Sequence, residues 1–110
     1  MPKQTVVIIN RFGMGSGDPD LGKEILGSFL RKAILIEGLR SILLYNEGVR
    51  LLSADCPLLP EFGALLDRGI DIYPCGTCMN KFGIQTSLVR SSCMDVIVSE
   101  MSMADKVITI

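Results

Sequence analysis

The chain has 110 residues, a formal net charge of -1 from 11 basic and 12 acidic side chains, and no histidine. This length suits one domain that buries a core without metal or disulfide staples. The balanced charge offers no electrostatic footprint for nucleic acid, and the missing histidine removes the commonest general base and metal ligand.

Hydrophobic residues make up 48% of the chain, against five prolines and six aromatic residues. The class is therefore ordered and globular. So much apolar content in a small chain points to burial between subunits of a homo-oligomer. No basic and apolar leader precedes the first strand, and no apolar run nears the ~20 residues of a membrane span. The expectation is a cytoplasmic protein whose four cysteines are reduced.

The first predicted element, Thr5–Asn10, is a continuous β-branched run, the pattern of a parallel strand buried on both faces. A glycine-rich loop, Arg11–Asp18, follows. Asp18 as N-cap and Pro19 at the first helical position open a helix, with Leu21, Ile25, Phe29 and Ala33 on its inner face, Leu26, Leu30 and Ile34 widening it, and Gly38 closing it. Ser41–Tyr45 is the second strand, and a short helix covers Val49–Leu52. The Cys56-Pro57 segment breaks the chain before a helix over Glu61–Arg68. Ile70–Tyr73 is the third strand. Gly83–Val89 reads as a further short strand at most. Ser92 and Asp95 have capping-box spacing for a helix with Met94, Ile97, Val98 and Met101 on one face, and Lys106–Ile110 is the last strand. Strands separated by helices imply a parallel sheet covered on both faces, with ligands at the carboxyl ends of the strands. The glycine loop, Asn46-Glu47-Gly48 and the turn after Tyr73 all gather there.

That turn, Cys75-Gly76-Thr77-Cys78, carries two thiols at a strand end. A helix starting near Cys78 aims its N–H groups and positive dipole end at the sulfurs, which favours thiolate, and Lys81 adds to this if it lies close. Spacing alone leaves a redox switch, a metal ligand and a sulfur carrier open. Four-thiolate zinc sites use two close pairs, whereas Cys56 and Cys93 are singletons, so no metal site is expected. Both singletons read as packing residues. The motif follows the third strand, unlike the thioredoxin arrangement near a domain's start. Gly13, Gly15 and Gly17 do not match a dinucleotide fingerprint, and Asp18 and Asp20 would repel phosphate, so no cofactor is expected. The loop instead needs glycines to lie over the cysteine turn. Asn46 and Glu47 read either as a polar wall with Glu47 as acid or base, or as an N-cap and first turn.

Several of these segments recur together in one family. Asp20-Leu-Gly-Lys23, Ser28-Phe-Leu30, Tyr45-Asn-Glu-Gly-Val49, Cys75-Gly-Thr-Cys78 with Phe82-Gly-Ile84, and Ala104-Asp-Lys-Val-Ile108 stand in order along the chain. The chain resembles the DsrE/DsrF-like family of sulfur-relay proteins, and within it the DsrE-like domain of the YedF-type proteins linked to selenium metabolism. The resemblance implies a three-layer α/β/α sandwich with a mainly parallel sheet of about five strands, and assembly into homo-oligomers. It implies Cys75 as the sulfur-carrying thiol and Cys78 as its partner, with Gly13, Gly15, Asn46, Glu47, Gly76 and Thr77 around them. YedF-type proteins place a TusA-like domain ahead of this one. The expectation here is a single domain, 1–110, served by a separate TusA-like or other sulfur-carrier protein. Pro74, and Ser92-Cys93 in place of an expected Asn-Met pair, depart from the family pattern. The alternative function, of a different class, is a non-catalytic oligomeric module for small-ligand binding or thiol redox.

Overall fold

β1, Thr5–Ile9, is buried at every position, as a β-branched run between two helical layers must be. The computed structural model describes residues 3–110. β1 lies inside a sheet of four strands ordered β3-β2-β1-β4, with β2 at Leu39–Leu44, β3 at Asp71–Pro74 and β4 at Lys106–Thr109. All three pairings are parallel. Between strands run α1 (Pro19–Lys32), α2 (Leu59–Asp67), α3 (Gly76–Phe82) and α4 (Met94–Met103), with 3-10 helices at Ala33–Leu35 and Asn46–Leu52.

The expected three layers form, with four strands in place of about five. The undecided segment from Gly83 to Val89 forms no strand. Gly83 ends α3 in the left-handed conformation, and the returning chain meets β3 at a single bridge, Ser92 opposite Cys75. There the Ser92 N–H donates to the Pro74 carbonyl at 2.7 Å, and the Ser92 carbonyl accepts from the Gly76 N–H at 2.9 Å. This geometry also accounts for Pro74. The Cys75 N–H faces β2, donating to Leu44 at 2.8 Å, so alternation turns the position of the missing Pro74 N–H toward the open side of an edge strand.

Strand alternation divides the core in two. Val7, Ile9, Ile42, Leu44 and Ile72 face Leu26 and Leu30 of α1, Phe62 and Leu65 of α2, and Val49, Leu51 and Leu52 of the 3-10 helix. Val6, Ile8 and Leu43 face the other way, against Ile97 of α4. The expected face of α1 is met in part. Leu26, Leu30 and Ala33 are buried, together with Gly22 and Gly27, while Leu21 is 52% exposed and Ile25 41%. The two glycines on the buried face let α1 approach its neighbours closely, and Leu21 and Ile25 lie outside it. α4 starts without the expected capping box. Cys93 is its N-cap, with no side-chain cap bond, because Ser92 is engaged by β3. Of its expected face Ile97 is buried, whereas Met94 and Val98 are exposed.

Register levels the strand ends. Ile9 pairs with Leu44, and Leu44 with Pro74. Asn10, Tyr45 and Cys75 therefore leave the sheet side by side, which sets the stage for the site.

Candidate functional site

The cysteine turn is built by abrupt conversion of β3 into α3. Cys75 is the N-cap of α3, in extended conformation, and Cys78 lies in the first helical turn. The helix thus begins at Gly76, two residues earlier than expected. Gly76 is required by closeness: a Cβ there would stand 2.8 Å from the Ser92 carbonyl oxygen. Cys75 packs with Val6, Ile8, Leu43 and Ile97 and is 5% exposed, whereas Cys78 is half-buried between the two core clusters.

The two cysteines are neighbours in the same turn, and Cys78 Sγ has a backbone partner. The backbone N–H of Asn46 donates to Cys78 Sγ at 3.1 Å. Asn46 opens the 3-10 helix after β2 with φ +51°, a left-handed conformation that asparagine tolerates better than most residues. Its backbone, not a side-chain wall or an N-cap role, is what reaches the thiol. The next glycine, Gly48, holds this segment against β1, since a Cβ would meet the Ile9 carbonyl oxygen at 2.2 Å.

The expectation that helix polarity favours thiolate does not hold at Cys78. Burial, and next the neighbouring Cys75 thiol, push its thiol above the ordinary range, and the Asn46 N–H offsets only part of that rise.

The remaining site candidates fall in two places. Gly76 and Thr77 lie in the cysteine turn, with Thr77 exposed. Gly13, Gly15 and Glu47 instead line a neighbouring cleft of about 310 Å³, together with Arg11, Phe12 and Arg50. Glu47 pairs there with Arg50 at 3.3 Å in the first turn of the 3-10 helix. The 3-10 helix joins the two places, because it starts at the Asn46 N–H that holds Cys78 and continues through Glu47 and Arg50.

Cys56 is buried as a packing residue, its thiol pushed up by desolvation. Cys93 is not one: it is exposed at the start of α4. Among the described residues no three metal-ligating side chains gather. Nor is any helix there long and apolar enough to cross a membrane.

Sequence reading missed two groups. Arg11, Phe12 and Arg50 meet only after folding, with Arg50 Cζ 4.2 Å and Lys23 Nζ 4.1 Å from the centre of the Phe12 ring. Glu100, 5% exposed, takes Arg40 at 3.0 and 3.2 Å and the Ser41 hydroxyl at 2.8 Å. The only forewarning of the second group was a carboxylate in a helix beside an apolar face.

No curated protein is recognisably similar to the chain. Among solved structures, its fold matches the YchN protein from E. coli with TM-score 0.71 at 20% identity, over 98% of this chain and 99% of that one. The protein of unknown function MTH1491 from Methanobacterium thermoautotrophicum matches with the same TM-score of 0.71, identity of 20% and coverages of 98% and 99%. BT1422 from Bacteroides thetaiotaomicron, a conserved protein of unknown function, matches with TM-score 0.66 at 20% identity over 97% and 95%. The DsrE/DsrF-like family model matches residues 26–110, which include the whole cysteine turn and the last strand. On that match the chain belongs to the DsrE/DsrF-like family.

Proposed function

We propose that the protein carries sulfane sulfur, or selenium, as a persulfide on Cys75, with Cys78 as its helper. The observation that carries this reading is the pair of cysteines in one turn at the sheet's carboxyl edge, the second held by a backbone N–H. The family resemblance points to Cys75 as the nucleophile. Its thiolate attacks the outer sulfur of a donor persulfide, R–S–SH. The donor S–S bond breaks, a new S–S bond forms, and R–S⁻ leaves, so that Cys75 becomes Cys75–S–SH. An acceptor thiolate then takes the outer sulfur by the same exchange. Alternatively, the Cys78 thiolate attacks the inner sulfur, giving a Cys75–Cys78 disulfide and HS⁻, after which an external thiol must reduce the disulfide. Carriage of this kind is stoichiometric, and turnover requires both donor and acceptor.

The family suggests a TusA-like or other sulfur-carrier protein as partner, and the YedF-type resemblance suggests selenium as cargo. We further propose a cytoplasmic homo-oligomer. Exposed Met94, Val98, Met103 and Val107 on α4 and β4 support the oligomer, because they make an apolar surface on one side of the molecule.

Mass spectrometry after incubation with a persulfide donor tests the reading. The expected result is a gain of one sulfur in the wild-type chain and none in Cys75→Ser, while Cys78→Ser accumulates more adduct because it cannot resolve it. An unmodified wild-type chain, or an adduct that persists in Cys75→Ser at the wild-type level, refutes Cys75 as carrier.

A further inference from the structure

The cleft beside the cysteine turn has features that the carrier reading does not use. Its floor is rigid. Met14 N–H donates to the Gly22 carbonyl at 3.0 Å, and Gly13 packs on Gly22, where a Cβ would stand 3.2 Å from the backbone carbon. Its two carboxylates are already committed. Asp18 accepts the N–H groups of Asp20 and Leu21 at 2.9 and 3.1 Å, which fills the start of α1, and Glu47 accepts from Arg50.

Its cations are not spent in the same way. Arg50 gives one N–H to Glu47 and lies over the Phe12 ring, so its guanidinium is fixed in direction with further donors unused. Arg11 lines the cleft and makes no hydrogen bond or ion pair among the described residues. Lys23 lies over the same Phe12 ring, outside the cleft lining. The lining balances two cations against two engaged carboxylates, so the unused guanidinium donors, not a net field, suit a small anion in a volume of about 310 Å³.

We propose that this cleft binds the oxyanion group of a small ligand, with Arg11 and Arg50 as the residues that recognise it. Resting on the carrier reading, that ligand is an anionic sulfane-sulfur donor, whose charged end is held in the cleft while its sulfur is presented toward the adjoining cysteine turn. Guanidinium forks pair with tetrahedral oxoanions and with carboxylates alike. Two donor types share this chemistry: thiosulfate, and a carboxylate-bearing thiol persulfide such as that of glutathione. With thiosulfate, attack by the Cys75 thiolate on the outer sulfur breaks the S–S bond and releases sulfite. With the persulfide, the thiolate of the parent thiol leaves.

Isothermal titration of the full chain with thiosulfate, with sulfate and with glutathione tests the proposal, because the last two bind without transferring sulfur. Binding of thiosulfate and sulfate identifies the oxoanion, and binding of glutathione alone identifies the carboxylate. In either case Arg11→Ala is expected to weaken binding by about tenfold or more, and Arg50→Ala by a similar factor. Cys75→Ser is expected to leave the affinity unchanged. Arg11 is exposed, so its replacement leaves the fold intact, and a wild-type circular dichroism spectrum checks this. Absence of binding by all three anions at millimolar concentration, or wild-type affinity in Arg11→Ala, overturns the proposal. A persulfide on Cys75 without anion binding removes the cleft's role and leaves the carrier reading in place. Anion binding without any persulfide refutes the carrier reading and the donor identity, and leaves an anion site.

Discussion

The two faces of the sheet are built differently. One is sealed by α1, α2 and the 3-10 helix over a large cluster centred on Phe62, Leu26, Leu30 and Leu44, all fully buried or nearly so. The other is covered by α4 alone, with a cluster of Val6, Ile8, Leu43, Cys75 and Ile97. That second face also holds the buried Glu100 and leaves Val98 53% exposed. The first face secures the domain, while the second combines Cys75, the proposed carrier thiol, with a charged network and uncovered apolar surface. Cys78 packs against both clusters, so the cysteine turn sits at their junction.

Three substitutions sharpen this contrast. Phe62→Ala on the sealed face leaves a large cavity in a rigid core, and is expected to cost about 3–5 kcal/mol in urea denaturation. A loss below ~1 kcal/mol would mean that this face repacks and is not the main source of stability.

Glu100→Ala strikes the thinner face. It leaves the Ser41 hydroxyl without its acceptor and Arg40, which is partly exposed, without its partner. A loss of about 1–3 kcal/mol is expected. The same group sets a pH dependence. Burial opposes its charge, but hydrogen bonds from Arg40 and Ser41, with the Arg40 charge, hold the Glu100 carboxyl below its usual range. A depressed folded pKa contributes stability above the ordinary carboxylate value near ~4.3, and that stability is lost as pH falls through the folded value. Wild-type stability should therefore drop on acidification more steeply than that of Glu100→Ala. Parallel acid limbs for the two proteins would disprove the assignment.

Val98→Ser should change the stability of the single chain least, by no more than about 0.5 kcal/mol, since the side chain is half in solvent already. Its effect should appear in sedimentation, as a shift of the proposed oligomer toward smaller species. An unchanged mass distribution would free this face from the interface.

Much of the fold was legible because it rests on local pattern. The β-branched run of Thr5–Ile9, Asp18 and Pro19 at the start of α1, and the alternation of strands and helices each reflect short-range sterics or burial periodicity. The strand count failed at Gly83–Val89, where no local propensity decides and a single bridge at Ser92 closes the edge of β3. The inner face of α1 was read in part: Leu26, Leu30 and Ala33 are buried as expected, but Gly22 and Gly27, not Leu21 and Ile25, complete the buried face.

The site divides in the same way. Cys75-Gly-Thr-Cys78 was visible as a motif, and its place after a strand followed from the pattern around it. By itself the sequence determined the elements, their parallel order and the edge at which the thiols emerge, because periodicity and turn chemistry act over a few residues. Only the tertiary structure decided that the Asn46 N–H, 32 residues away, reaches Cys78, and that burial pushes that thiol above its ordinary range. It also brought Arg11 and Arg50 to one cleft and Glu100 to Arg40, 60 residues apart. Hydrogen bonds and desolvation depend on which distant segments are packed together, and no local pattern along the chain records that.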